Sequence, residues 1–280
     1  TSDSYSVTIG TGDCDSPGFS GTYATSWSSL NAPPDYGYSL MTWMGDDMDY
    51  LWNTYGTQQQ YYDPSTGSWT RVRSSTPCNR PWNSLAPYDG DLYMIGCGNV
   101  YQYEISADTW TSVATYSGGD DYNQTVADCD GNIYGYSANG RIIIYDVDTD
   151  TVSEVNTGYG SLYETRLAYD PTEEAVYFGG YSSQNLYRYD TGTGGISTMT
   201  RIPESQLNDI FCGDWSGHIY AAGGSSGTSV WQYDMAADSW SSITNLPVDH
   251  GNNGSCTVSS DGYLYLSTGS NGALRRLTLY

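Results

Sequence analysis

A motif of about 42 residues recurs along the chain and restricts its fold more than any other feature of the sequence. Each copy contains an aromatic residue, then a Tyr followed by an acidic residue, then an apolar residue six positions after the acid. The five acidic anchors are separated by 41, 42, 44 and 44 residues, and they are Asp63, Glu104, Asp146, Asp190 and Asp234. A repeat of this length is typical of β-propellers, in which each copy forms one four-stranded blade.

The repeat assigns four strands to each blade, which we label a to d from the axis of the ring outward. Strand b carries the first aromatic residue, strand c the Tyr-acid pair, and strand d the last apolar residue. Turn pairs that end in glycine precede strand b, where a tight hairpin from strand a needs positive φ. These pairs are Asp89-Gly90, Asp130-Gly131, Ser216-Gly217 and Asp261-Gly262. The sequence therefore predicts an all-β propeller of six four-stranded antiparallel blades, with seven blades as the alternative.

The best-preserved copy resembles the Kelch repeat. It runs from Ile219-Tyr220 through Gly223-Gly224 to Tyr233-Asp234 and Trp240, in the aliphatic, double-glycine, Tyr and Trp order of that family. The resemblance covers nearly the whole chain, although the full double glycine recurs only at Gly179-Gly180, and it identifies no closer subfamily. It implies a fold much more than a function.

The chain ends before the last blade has a strand d of its own. Ser26-Trp27-Ser28-Ser29-Leu30 is similar to Ser239-Trp240-Ser241-Ser242-Ile243, and Trp27 lies 42 residues before Trp69. We therefore expect the N-terminal segment to complete the C-terminal blade, which removes an open sheet edge. The predicted organisation is an N-terminal arm at residues 1–22 and a single Kelch-like propeller domain at residues 23–280.

The charge of the chain restricts its partners. The formal net charge is −23, with nine basic residues that are all arginine. Nucleic acids and anionic membranes are repelled by such a surface, so neither is expected as a partner, and no run of residues is apolar enough for membrane insertion. The oligomeric state does not follow from the sequence.

Six cysteines lack the spacing of a zinc site, and disulfides in an oxidising compartment fit them better. We expect a secreted or extracellular mature form whose signal peptide is absent from this chain. Two pairings are suggested, Cys14 with Cys78 and Cys97 with Cys129, while Cys212 and Cys256 fall at nearly equivalent places in neighbouring inner strands.

Most aromatic residues are assigned to packing between blades because they repeat. One repeated position is Tyr50, Tyr93, Tyr134, Tyr177, Tyr220 and Tyr265, and another is Tyr62, Tyr103, Tyr145, Tyr189 and Tyr233. Candidate ligand-binding residues lie instead near the start of strand a, where connections meet the mouth of the central channel. They differ from blade to blade, and they are Tyr38, Arg80, Trp82, Tyr122, Asn123, Arg166, Asn208, Asp209, His250 and Asn252. Such variety is typical of a shaped binding surface, and an ordinary solvated rim is the alternative.

A single loop resembles the start of a calcium site. Asp128, Asp130 and Asn132 place oxygen ligands at alternate positions, but position 139 is Asn where the EF-hand pattern requires Glu. A hairpin turn explains the same residues. No cofactor is expected apart from calcium at this loop.

Catalytic motifs are weak. The chain has two His and no Lys, so most acid–base and metal-assisted mechanisms lack their usual residues. We expect a secreted non-catalytic module that binds a glycan or an extracellular protein at the mouth. Two alternatives remain open: a glycosidase or lyase that uses rim carboxylates such as Glu164 with Asp209 or Asp121, and a structural building block of an extracellular surface or filament.

Overall fold

Within the residues that it describes, a computed structural model of the chain shows 24 strands in six four-stranded antiparallel sheets. The structure describes residues 26–34, 39–44, 50–55, 57–78, 85–118, 124–162, 164–180, 183–203, 210–222, 227–249, 254–268 and 272–279. The sheets are the blades of a propeller, so the predicted six-bladed fold is confirmed.

Blades one to three follow one another along the chain, each in the order a to d. Blade one contains β2 (Ser39–Trp43), β3 (Leu51–Tyr55), β4 (Gln58–Asp63) and β5 (Ser68–Arg71). Blade two contains β6 (Ala86–Tyr88), β7 (Asp91–Gly96), β8 (Asn99–Glu104) and β9 (Thr109–Thr115). Blade three contains β10 (Val126–Ala127), β11 (Asn132–Ser137), β12 (Arg141–Asp146) and β13 (Thr151–Asn156).

Blades four to six continue the same order, except that the last strand comes from the N-terminal segment. Blade four contains β14 (Arg166–Asp170), β15 (Ala175–Gly179), β16 (Leu186–Asp190) and β17 (Ile196–Met199). Blade five contains β18 (Ile210–Gly213), β19 (His218–Ala222), β20 (Trp231–Asp234) and β21 (Ser239–Ser242). Blade six contains β22 (Ser255–Val258), β23 (Tyr263–Ser267), β24 (Leu274–Thr278) and β1 (Ser28–Leu30).

The core consists of apolar layers between adjacent blades. Successive side chains of a strand point to opposite faces, so each inner strand packs against both neighbouring blades. In β11, Ile133 packs toward blade two, whereas Tyr134 and Tyr136 pack toward blade four. This explains why large residues recur on both faces of strands b and c.

The repeated acidic residues stabilise turns. Asp63 accepts hydrogen bonds from the Ser65 and Thr66 backbone N–H groups, and Asp190 accepts one from Thr193 in the equivalent turn of blade four. Such Asx turns reverse the chain between strands c and d. The predicted glycines of the a–b hairpins also have positive φ, at Gly90, Gly131, Gly217 and Gly262.

The ring closes as predicted. β1 pairs antiparallel with β24, with Ser28 opposite Arg276 and Leu30 opposite Leu274. At the axis, β2 contacts β22 of blade six as well as β6 of blade two. The Ser255 hydroxyl accepts a hydrogen bond from the Met41 backbone N–H at 2.8 Å, which ties the first and last inner strands together. The N-terminal arm proposed at residues 1–22 lies outside the described residues.

The disulfides correct two of the suggested pairings. Cys78, which lies before the first strand of blade two, is bonded to Cys97 of blade two. The pairings of Cys14 with Cys78 and of Cys97 with Cys129 are therefore wrong. Cys212 is bonded to Cys256, which links the inner strands of blades five and six. Both bonds are compatible with an extracellular protein.

Across the described ranges, no helix combines the length and the apolar character needed to cross a membrane.

Candidate functional site

Polar residues that precede or begin the inner strands of blades three and four form a buried group, which we call the mouth cluster after the position predicted for Arg166: Gln124, Glu164, Thr165 and Arg166. The Gln124 backbone N–H donates to the Thr165 carbonyl at 3.0 Å. The Gln124 side-chain Oε1 accepts from the Leu167 N–H at 3.1 Å. The backbone on both sides of Arg166 is therefore held by a single residue of the neighbouring blade.

Arg166 is fully buried at the first position of β14. It pairs with Gly179 of β15. It lies on the same strand face as Ala168, which packs toward blade five. The corresponding positions in blades five and six hold Ile210 and Ser255, so this site differs from blade to blade as the sequence predicted.

Glu164 lies two residues before Arg166 and is only 7% exposed. Its φ is +51°, a left-handed backbone conformation that is unfavourable for Glu. A buried carboxylate and an unfavourable backbone conformation each cost free energy, and such features concentrate at functional sites. The Thr165 hydroxyl donates to the Leu162 carbonyl at 2.5 Å and helps to fix this turn.

Of the ten predicted ligand-binding residues, Arg166 is described and lies in the mouth cluster. The other nine fall outside the described residues, so their position at the channel stays a prediction. They are Tyr38, Arg80, Trp82, Tyr122, Asn123, Asn208, Asp209, His250 and Asn252.

The suggested calcium loop forms the a–b turn of blade three, and its first carboxylate is surrounded by donors. Asp128 Oδ1 accepts from the backbone N–H groups of Asp130 and Asn132, at 2.9 and 2.8 Å. Asp128 Oδ2 accepts from the Asn132 side chain and the Tyr134 hydroxyl. Asp214 makes the same kind of turn in blade five. These contacts account for the residues as a hairpin turn, and calcium at Asp128, Asp130 and Asn132 stays a prediction.

One aromatic assignment is wrong. The strand pairing places Trp52, and not Tyr50, at the repeated strand-b position, because Leu51 faces Tyr62 as Leu92 faces Tyr103. Tyr50 and Tyr61 therefore depart from the packing repeat. The Tyr61-Tyr62 pair was the available signal, since in other blades the residue before the strand-c Tyr is not aromatic.

These two residues line a cavity of about 390 Å³ between blades one and two, which we call the flank pocket. The Tyr61 ring lies 4.7 Å from the Tyr50 ring and 5.6 Å from the Trp52 ring, measured between centroids. The remaining lining residues are Thr70, Arg71, Val72, Arg73, Tyr103, Ile105 and Asp108. The volume is within the range of sites that bind small molecules.

Three ionisable groups of the flank pocket have shifted pKa values: burial is the largest cause of a raised pKa at Tyr50 and Tyr103, and the pKa of Asp108 is lowered. Burial raises the pKa of Tyr50 above its ordinary value, and the nearby Tyr61 and Asp63 add to the effect. The Tyr103 hydroxyl, which donates to Asp108 Oδ1 at 2.7 Å, lowers the pKa of that carboxyl, and the Ser74 hydrogen bonds act in the same direction. Asp108 is therefore ionised at neutral pH, and Tyr50 is a neutral donor.

Comparisons with known proteins agree with this architecture. Residues 215–247, which contain strands b to d of blade five, match the Kelch motif. A solved structure titled "Structure of YjhT" is similar in fold, with a TM-score of 0.68, 12% sequence identity, and coverage of 88% of this chain and 95% of that one. No curated protein matches the chain significantly in sequence.

Propellers of this type are in general binding modules. The six blades and their closure by the N-terminal strand identify the chain as a six-bladed β-propeller, and its blade five carries a Kelch motif at residues 215–247.

Proposed function

We propose that the chain is a secreted, non-catalytic binding module that recognises a glycan at the mouth of its ring. The observation that carries the proposal is the mouth cluster, in which a fully buried arginine begins one inner strand and a buried glutamate lies two residues before it. Charged side chains are rarely buried without a specific role, because their desolvation is unfavourable. The packing of the blades does not need them, since Ile210 and Ser255 occupy the Arg166 position in the next two blades.

Hydrogen bonds fix the backbone of the mouth cluster. Gln124 holds the backbone on both sides of Arg166, and Thr165 is tied to Leu162. Arg166 itself is buried, so its role is to position the chain that surrounds it. The predicted contact residues Trp82, Tyr122, Asn123 and Asn208 combine aromatic faces with amide groups, a mixture that suits sugar rings and their hydroxyls.

A glycan array followed by calorimetry tests this function. We expect binding to a defined glycan class, weakened at least tenfold by Arg166→Gln and by Arg80→Gln. Arg201→Gln is the matched control, because it removes the same charge from an exposed position that follows strand d of blade four. Thermal melts verify that each variant is folded. Absence of glycan binding together with a captured protein ligand would overturn the proposal.

The buried Glu164 at positive φ favours one second candidate, a carbohydrate-active enzyme. A glycosidase needs a second carboxylate across the cleft, and the predicted partners Asp121 and Asp209 lie outside the described residues. Release of reducing sugar by the wild type, and its loss in Glu164→Gln, would replace the non-catalytic proposal. Concentration-dependent assembly in light scattering, without any ligand, would favour the structural alternative.

A further inference from the structure

Building on the glycan-binding function proposed above, on which this step rests, we propose that the Tyr159 ring stacks against one neutral pyranose ring of that glycan. Tyr159 lies in the connection from β13 to β14, which also contains Glu164 and leads directly into Arg166. Connections of this kind, from strand d of one blade to strand a of the next, are where the sequence predicts ligand contacts. Tyr159 was not among the predicted contact residues.

Tyr159 is more exposed than the other large apolar residues in the described ranges, at 37%. One face of its ring is covered by Tyr187, whose centroid lies 3.9 Å away with an angle of 26° between the ring planes. Tyr187 is buried and packs in turn against Phe178, with 5.3 Å between ring centroids. The exposed area of Tyr159 therefore lies on its opposite face and its edge, where a second ring can stack.

The glycines on both sides of Tyr159 leave the surrounding space open. Gly158 and Gly160 have φ values of +77° and +69°, which glycine adopts at little cost. A Cβ built at either position would meet no atom within 4 Å. The backbone conformation, and not crowding, therefore accounts for these two glycines, and neither adds a side chain that would hinder a ligand on Tyr159.

Hydrogen bonds to blade three hold the connection in place. The Tyr136 hydroxyl donates to the Gly160 carbonyl at 2.8 Å, and the Thr157 hydroxyl donates to the Gly140 carbonyl at 2.8 Å. The connection also passes close to Gly140, where a Cβ would lie 2.6 Å from the Gly160 carbonyl oxygen. Tyr159 is thus positioned before a ligand arrives, which reduces the entropy that binding costs.

The size of the exposed area fits one sugar ring and not a protein surface. A stable protein interface buries about 800 Å² on each partner, whereas Tyr159 is the single large apolar residue that is exposed in the part of the chain that the structure describes. A pyranose with equatorial hydroxyls presents C–H groups on its faces, and these suit the electron-rich face of an aromatic ring. The net charge of −23 makes an acidic sugar unfavourable.

Neutral polar groups lie beside the ring. The exposed Thr198 has its hydroxyl 3.3 Å from the Tyr159 hydroxyl. On the chain before Tyr159, the exposed Asn156 accepts from the Gly158 N–H through its Oδ1 at 3.0 Å. Hydroxyl and amide groups exchange hydrogen bonds with sugar hydroxyls. The surroundings of Tyr159 therefore combine an apolar face with the partners that the edge of a sugar ring needs.

Titration with two neutral probes tests the proposal. Cellotetraose consists of pyranose rings with equatorial hydroxyls, and sorbitol carries hydroxyls on an open chain without a ring. We expect cellotetraose to bind at least tenfold more tightly than sorbitol in calorimetry, and to shift the Tyr159 ring signals in NMR spectra. Absence of cellotetraose binding, or equal binding of sorbitol, would overturn the proposal.

Variants localise the contact. Tyr159→Ala should weaken cellotetraose binding at least tenfold, whereas Tyr159→Phe keeps the ring and should retain the binding. Tyr61→Ala is the matched control, because it removes an aromatic ring from the flank pocket, and it should bind as the wild type does. Thermal melts verify that each variant is folded. Undiminished binding in Tyr159→Ala, or loss of binding in Tyr61→Ala alone, contradicts the proposal.

The glycan array separates a failure at Tyr159 from a failure of the proposed function. A glycan that binds the wild type and Tyr159→Ala equally, and binds Arg166→Gln more weakly, would support the mouth and contradict the role of Tyr159. Absence of any glycan that binds the wild type would overturn both. A glycan whose binding is weakened by both variants supports both.

Discussion

The indole N–H of Trp27 donates to the backbone carbonyl of Thr244 at 2.9 Å, across 217 positions of the sequence. Trp240 makes the equivalent bond to Thr200, and Trp69 makes it to Asn31. The tryptophan of the outer strand thus fastens each of these blades to the preceding one. At Trp27 the same contact fastens the N-terminal strand of blade six to blade five.

The contrast between Trp27 and Trp110 gives the first prediction. Trp27→Phe removes a hydrogen bond and should lower the free energy of unfolding by about 1 kcal/mol beyond the loss of packing. Trp110→Phe removes an N–H without an acceptor among the described residues, so its cost should be smaller by a similar amount. Urea unfolding of both variants provides the measurement. Equal costs would show that the Trp27 bond does not stabilise the ring.

The disulfide between Cys212 and Cys256 should stabilise the fold more than the one between Cys78 and Cys97. The first closes a separation of 44 residues and the second one of 19, and the stabilisation from restricting the unfolded chain increases with loop length. We expect Cys212→Ala with Cys256→Ala to lower the free energy of unfolding by about 2–4 kcal/mol. Denaturant unfolding of both double variants, without reductant, compares them. A larger loss in the Cys78 and Cys97 variant would contradict the expectation.

His218 should make stability depend on pH near neutrality. Its Nδ1 lies 3.0 Å from Oδ2 of the buried Asp214, and this hydrogen bond raises the pKa of His218 above the ordinary value of 6.5, against the effect of burial. Because the folded-state pKa is raised, the stabilisation is complete below pH 6.5 and is lost as pH rises through the folded-state pKa. NMR titration of the imidazole measures that pKa directly.

His218→Gln is the control for this pH effect. It keeps a polar side chain without the titration, so the difference in stability between wild type and variant should shrink as pH rises from 6 to 9. A difference that is independent of pH would rule out the Asp214 pair as its source. The comparison also cancels the effect of the large net charge, which both proteins share.

Gly135 of blade three lies close to Ile95 of blade two. A Cβ built there would lie 2.8 Å from Ile95 Cγ2, a distance at which something must shift. Gly135→Ala should therefore lower the free energy of unfolding by about 1–3 kcal/mol through overpacking. Adding Ile95→Ala should recover part of that loss, and a thermodynamic cycle of the two substitutions measures the coupling. Strict additivity would show that the two residues do not interact.

The repeat was sufficient to predict the blades, their strand order and the closure of the ring. Each copy must bury both faces against its neighbours, so Leu92, Tyr93 and Tyr103 recur in equivalent forms, and Trp27 could be matched to Trp240 by its local sequence. Tyr50 was misassigned because Trp52 occupies the repeated aromatic position of strand b in blade one. Spacing along the sequence does not determine which of two aromatic residues, two positions apart, occupies that position.

The candidate site was harder to predict from the sequence than the fold, for a physical reason. The repeated residues determine how the blades pack, whereas binding residues lie at positions where the repeats differ. A difference between repeats does not show which function the residue at that position has. Arg166 was selected in this way and lies in the mouth cluster. Gln124, which holds it, was not, because a contact between blades leaves no periodic signal. The disulfide between Cys78 and Cys97 joins two residues at non-equivalent places in the repeat, so spacing did not indicate it.

Hydrogen–deuterium exchange at the N-terminal strand tests the closed ring most directly. Backbone amides of Ser28–Leu30 should exchange as slowly as those of Ser239–Ser242, the equivalent outer strand of blade five, because both belong to four-stranded sheets. Exchange of Ser28–Leu30 at the rate of a free peptide, with Ser239–Ser242 still protected, would contradict the pairing with β24 and the closure of the ring.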